Sequence, residues 1–326
     1  MLPSRARAWI LLAWGWSALW TAAFAGLAVT ARGPAWVAAR AGDGNWADYW
    51  LLLLVLPHAV GPLLVNAAWR RWVAPDAPPA PTGTRIGPWL VGGWLAPVAV
   101  AVLAAGVAHL AGFGALDLSG ASIVARRALD PDAAAALQAQ LDAAPTPYPV
   151  SVAFQALVVS LLMYTPVRMA EEAGWRGVLD RELAPMGPLR SAVVGALAWA
   201  VAQLPLVAVG FHVPGEGLRG ALLAFAGCTA LGGVLILVRR MAGTAWASAA
   251  YLGTLSGLAG FHELLLTPGS AATQSLLGAS GALVHGALLT AWVARRGFPP
   301  ALRDDDPSML GRGAPPPATP PAAGAA

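Results

Sequence analysis

The chain has 326 residues, 57% of them hydrophobic and only 11% charged, against about 25% charged in a soluble globular domain. Its mean hydropathy is +0.62 and its isoelectric point is near 10. All 20 basic residues are arginines, scattered in ones and twos between apolar runs, so no basic face for nucleic acid emerges. Apolar runs of ~18 residues or more read as membrane spans, and the several found here exclude a soluble domain. The composition predicts an all-α polytopic membrane helix bundle.

Eight spans are expected, near 8–30, 46–68, 88–112, 150–170, 190–210, 218–238, 244–266 and 271–294. Each must be helical, because backbone groups in lipid have to be satisfied within their own segment. The first run follows a basic start. It is longer than the ~7–15 apolar residues of a signal peptide and carries Trp9, Trp14, Trp16 and Trp20, so an uncleaved span is expected. Between the third and fourth spans lies the longest outer loop, 113–149. There Asp130 and Pro131 mark a helix start, as N-cap and first helical residue. The single cysteine, Cys228, sits in an apolar run. It allows no internal disulfide framework and reads as a small core residue. From about Gly297 the chain is rich in Pro, Ala and Gly, and disorder is expected there.

Arginine placement orients these spans, since Arg favours cytoplasmic loops. With the N-terminus inside, fourteen arginines fall in inner segments and five in outer ones, while Arg168 lies within the inner end of the fourth span. This predicts both termini in the cytoplasm and a plasma-membrane location. Three regions are expected: N-terminal helices and outer loop over 1–149, a core over 150–296 and a tail over 297–326.

The stretch "RMAEEAGWRGVLD", residues 168–180, holds two of the chain's five glutamates side by side. On this reading it sits at the cytoplasmic end of the fourth span. Glu172 and Arg176 are four apart and face each other on a helix. Glu171 lies about 100° around, free to point into the bundle. Such acidic and basic runs are often only solvated flanks. Equally, two adjacent carboxylates at a membrane boundary repel each other and are poorly solvated. That suits one of them to act as a general base on water, and ionisable residues within spans are functional candidates.

"EEAGWRG" resembles the EExxxR motif of the CPBP family, intramembrane glutamic endopeptidases related to CAAX prenyl protease 2 and to bacteriocin-processing proteins. The resemblance extends over about 150–265, through a helix ending "WAVAQLPL", another ending at Arg239 and Arg240, and "MAGTAWASAAYLGTLSG". It implies a catalytic role for Glu171, Glu172 and Arg176. It also implies membrane lipid and a membrane-associated peptide or protein, as substrate or ligand, for partners. The family's second motif, FxxxH, aligns with Trp199 and Gln203, so its histidine is missing. Its third motif supplies a histidine and an asparagine one turn later. Here Tyr251 or Leu252, and Thr254, Leu255 or Ser256, stand in those places. The helpers that remain are Gln203, Tyr251 and Thr254, with a cavity open to the cytoplasm expected where they meet Glu171.

Without both histidine and asparagine, activity is expected to be weak or lost unless His285 or His58 takes the acid–base part. Both lie at a depth matching the site, though packing roles suit them as well. His109, His212 and His262 fall near outer helix ends, far from Glu171. No HExxH or comparable ligand cluster and no glycine-rich phosphate loop occurs, so no metal or cofactor is expected. A catalytically degenerate binding or scaffold protein is the alternative function. A transporter-like bundle ranks last, because paired broken helices in two halves are not evident.

Overall fold

The computed structural model describes residues 2–43, 49–76, 87–127 and 130–301. Arg85, Arg303, Arg312 and the tail beyond 301 lie outside the described residues. Six described helices are long and apolar enough to cross a membrane. They are α1 (Ser4–Arg32), α4 (Gly87–Leu110), α7 (Tyr148–Met186), α8 (Pro188–Ala208), α9 (Gly217–Ala242) and a last segment, Ala271–Arg296. Between α1 and α4 come the short α2 (Pro34–Asp43) and the 24-residue α3 (Tyr49–Trp72), which packs along α1. The loop 113–149 contributes α5 (Ala121–Arg127) and α6 (Pro131–Ala143). As the sequence predicts, Asp130 caps α6, accepting from Ala133 N at 2.7 Å. No strand occurs among the described residues.

The expected seventh span, 244–266, is broken. It becomes α10 (Ala245–Gly257), a turn, and α11 (Phe261–Leu265). Gly257 and Gly260 weaken the helix, and the chain then leaves it to pair with the loop 113–149. Asp117 N donates to Leu265 O and Thr267 N to Ala115 O. The last segment is likewise divided, into α12 (Ala271–Gln274) and α13 (Ala279–Arg296).

One apolar core runs from Ala6 to Val284, so 1–149 packs directly into 150–296. Large apolar side chains such as Leu19, Leu103, Leu162 and Leu222 face outward, as expected where lipid replaces water. α10 sits at the centre, against α4, α7 and α9, with ten of its thirteen residues buried. Small residues make this possible, since close backbone approach stabilises helix pairs where lipid supplies no hydrophobic drive. A Cβ on Gly253 would lie 2.9 Å from Thr165 N, on the helix that carries the two glutamates. Gly253→Ala is therefore expected to lose ~1–3 kcal/mol through overpacking. Gly92→Ala, which meets nothing within 4 Å, should gain up to ~1 kcal/mol of helix propensity. Thermal unfolding in detergent micelles checks both.

Tryptophans tie α1 to its neighbours. Pro57 has no N–H to give the Leu53 carbonyl, and Trp20 Nε1 donates to that carbonyl at 3.1 Å. Trp16 Nε1 reaches Pro57 O at 3.1 Å, and Trp14 Nε1 reaches Ala198 O at 2.8 Å. Trp9 Nε1 bonds Asn66 Oδ1 at 2.7 Å. These N–H groups satisfy themselves and, at Leu53, a carbonyl that proline leaves open. Together they hold α1 against α3 and α8, while α3 packs on α7.

Candidate active site

α7 does not end at the glutamates. It runs on to Met186, so Glu171 lies 186 − 171 = 15 residues from its C-terminal end, ~22 Å at 1.5 Å per residue. The expected position at the helix end is corrected accordingly. Polar residues that resemble a loop, Asp180 to Glu182, are helical because Asp180 is paired. Arg240 meets it through Nη2 at 2.5 Å and Nε at 3.1 Å, and also donates to Ser191 Oγ, Pro188 O and Pro299 O. Two π-helical stretches interrupt α7, Ser160–Tyr164 and Ala173–Leu179. Such turns are rare and frequent at functional sites. The second begins directly after Glu172. Gly174 within it comes so close to Pro62 and Trp9 that a Cβ would lie 2.6 Å and 3.0 Å from them.

Each glutamate has its own arginine. Glu172 is wholly buried and Arg176 nearly so, with Nη1 to Oε1 at 2.8 Å, the i,i+4 pair read from the sequence. Glu171, 1% exposed, is held on Oε2 by Arg168 Nη1 at 2.5 Å. Arg168 is in turn fixed by Nε to Ser256 Oγ at 3.1 Å. Glu171 Oε1 accepts from Trp199 Nε1 at 2.7 Å and from Gln203 Nε2 at 3.5 Å. Trp199 also offers its ring face to the Arg176 guanidinium, 4.6 Å away. One indole thus joins both ion pairs. The two anions and two cations cancel, the usual condition for charge in a dry interior. Three N–H donors occupy three of roughly four lone-pair sites on a carboxylate, leaving Glu171 room for one more partner.

The other expected helpers divide. Gln203 joins Glu171. Tyr251 and Thr254 are buried on α10, but their hydroxyls have no hydrogen-bond partner, and neither bonds to the glutamates. Of the third-motif positions it is Ser256 that connects, through Arg168. His285 is buried elsewhere, with Nδ1 donating to Gly281 O at 2.8 Å and its ring 6.2 Å from Tyr251. His58, by contrast, lies on α3 with Nδ1 3.5 Å from Ser17 Oγ, and Ser17 in turn donates to Ala202 O, next to Gln203 in the chain. His212, expected near an outer helix end, lies just beyond the C-terminal end of α8. It stands in the loop after α8 with φ 77°, a left-handed backbone uncommon outside glycine.

Arg168 carries a signal that sequence reasoning missed. It lies three residues before Glu171, the other i,i+3 or i,i+4 partner on that helix face. His58 carries no local signal, since it stands on another helix. Beside it lies a pocket with room for roughly one water, lined by Ala13, Trp16, Ser17, His58, Pro62, Val65, Trp175 and Ala202. Of the walls expected for a cavity, Glu171, Gln203 and Tyr251 to Thr254, none lines this pocket. No group of three or more potential metal ligands occurs among the described residues. No family model matches the chain, and no curated protein matches it.

Proposed function

We propose that this chain is a CPBP-like intramembrane endopeptidase of low turnover, hydrolysing a membrane-associated peptide or protein at a buried centre whose essential charge is the Glu171 carboxylate. One observation carries the reading. Trp199 and Gln203, the residues aligned with the second motif, both donate to the carboxylate that the first motif supplies. Two motifs some thirty residues apart thus converge on one pair of oxygens, as a working site of this kind requires. The low rate follows from Gln203, because an amide cannot carry a proton near neutral pH, and a positioned acid–base group is worth ~10²–10⁴ in rate. The excess of arginine in the expected inner segments supports a plasma-membrane protein with both termini in the cytoplasm.

The test is hydrolysis itself. Purified protein in lipid vesicles is given internally quenched membrane-spanning peptides in ¹⁸O-labelled water. Slow cleavage is expected, with one labelled oxygen in the new carboxyl terminus. A second reading, binding without turnover, is favoured by the near-complete burial of Glu171. It predicts that the same peptides bind and remain intact.

A further inference from the structure

A carboxylate can draw a proton from water, but hydrolysis also needs a donor for the oxygen of the tetrahedral species. Tyr251 and Thr254 make no hydrogen bond to Glu171. Arg168 does. Its Nη1 lies 2.5 Å from Oε2, and its Nε is anchored on Ser256 Oγ at 3.1 Å. Ser256 gives its own proton to Leu252 O at 2.9 Å, so its oxygen is left to accept from the guanidinium. A guanidinium carries five N–H groups in one rigid plane. Two are used here, and the other three have no partner among the described residues. On the carboxylate, Oε1 already accepts from Trp199 at 2.7 Å and Gln203 at 3.5 Å, while Oε2 accepts from Arg168 alone. The open lone pair of Glu171 is therefore on the oxygen that Arg168 touches. This corner is also the least buried part of the site. The Arg168 side chain is 13% exposed, whereas those of Glu171, Glu172 and Arg176 are at most 1% exposed.

We propose that Arg168 is a catalytic residue of this centre: its spare N–H groups hold the oxygen of the scissile carbonyl while Glu171 Oε2 takes the proton of the attacking water. The inference rests on the hydrolytic reading above. Water against Oε2 attacks the carbonyl carbon. A C–O bond forms, and the carbonyl π pair moves to the oxygen, which accepts from the guanidinium. One water proton passes to Glu171. Collapse of the tetrahedral species re-forms the carbonyl and breaks the C–N bond. The leaving nitrogen takes the proton back from Glu171, giving a carboxylic acid and an amine with every atom accounted for. A fixed cation offsets the charge on oxygen as it develops, in a dry site where such help is worth most. The anchor on Ser256 holds the guanidinium plane in place while the carboxylate changes its charge. Leu161 and Tyr164, seven and four residues earlier on α7, are exposed. A peptide arriving from the lipid along this side of α7 meets the guanidinium before the carboxylate.

The test uses the full chain in vesicles with two quenched peptides, identical but for sulfur in place of oxygen at the scissile carbonyl. Sulfur is the weaker acceptor, so a donor aimed at that atom favours the oxygen peptide. Arg168→Met is expected to lower kcat on the oxygen peptide by ~10²–10³, the value of one such donor, with little change in KM. It should also lower the oxygen-to-sulfur rate ratio at least about tenfold, because the loss falls on the oxygen peptide. Arg168→Lys keeps the charge opposite Glu171 but not the planar fork. It should lower the ratio in the same direction, and it carries the test if Arg168→Met does not fold. A merely structural arginine slows both peptides alike. An unchanged ratio in a folded variant therefore overturns the Arg168 role, and with Glu171→Gln inactive the hydrolytic reading stands. A folded parent with no turnover on the oxygen peptide overturns both.

Discussion

Arg176→Met should cost ~3–5 kcal/mol, the loss typical of removing one partner from a buried ion pair. The reason lies in what remains. Glu172 is wholly buried, and Arg176 Nη1 at 2.8 Å is its ion-pair partner. Without the guanidinium a wholly buried carboxylate is left without its ion-pair partner. The Trp199 face also loses its cation at 4.6 Å, an interaction worth ~2 kcal/mol when desolvated. The double variant Glu172→Gln with Arg176→Met removes the stranded charge and should recover much of the loss, since a buried pair replaced as a unit is often nearly neutral. Thermal unfolding in detergent micelles reads both variants. Equal losses in single and double variants would show that packing of the arginine stem, and not charge, holds this part of the bundle.

What was legible in the sequence was local. Apolar runs gave the helices, because backbone in lipid has no other solution. The spacing of Glu172 and Arg176 gave their pair, and Asp130 followed by Pro131 gave a helix start. What was not legible depends on partners far along the chain. Asp180 looked like loop because the sequence does not say that Arg240, sixty residues on, would pair with it inside the protein. That pairing lets α7 continue past the glutamates. α10 read as a full span because its apolar content is right. Its end depends on Gly257 meeting Ser160 and on the loop 113–149 drawing away the residues that follow. His285 and His58 were equivalent by depth. The tryptophan contacts of α1 and the close approach of Pro62 to Gly174 place His58 in the wall of the Trp175 pocket, and neither is a periodicity.

The second large effect is on rate. Glu171→Gln should lower peptide turnover by ~10²–10⁴, the value of a positioned acid–base system. The substitution keeps size and shape. It converts one carboxylate oxygen into an NH₂ group, which then points at Arg168, at Trp199 Nε1 or at Gln203 Nε2, all of them donors. Whichever way the amide turns, donor meets donor and the negative charge is gone. Affinity for peptide should change far less than turnover, because binding does not require that charge. A variant that lowered both equally would point to disrupted packing.

The most direct measurement is the ratio of parent to Glu171→Gln turnover on one quenched membrane peptide, in the same vesicles, with both proteins shown to be folded by thermal unfolding. The account predicts slow but definite cleavage by the parent and a ratio of at least about 10². A ratio near one, or a folded parent that binds the peptide and never cleaves it, contradicts a hydrolytic centre built on Glu171.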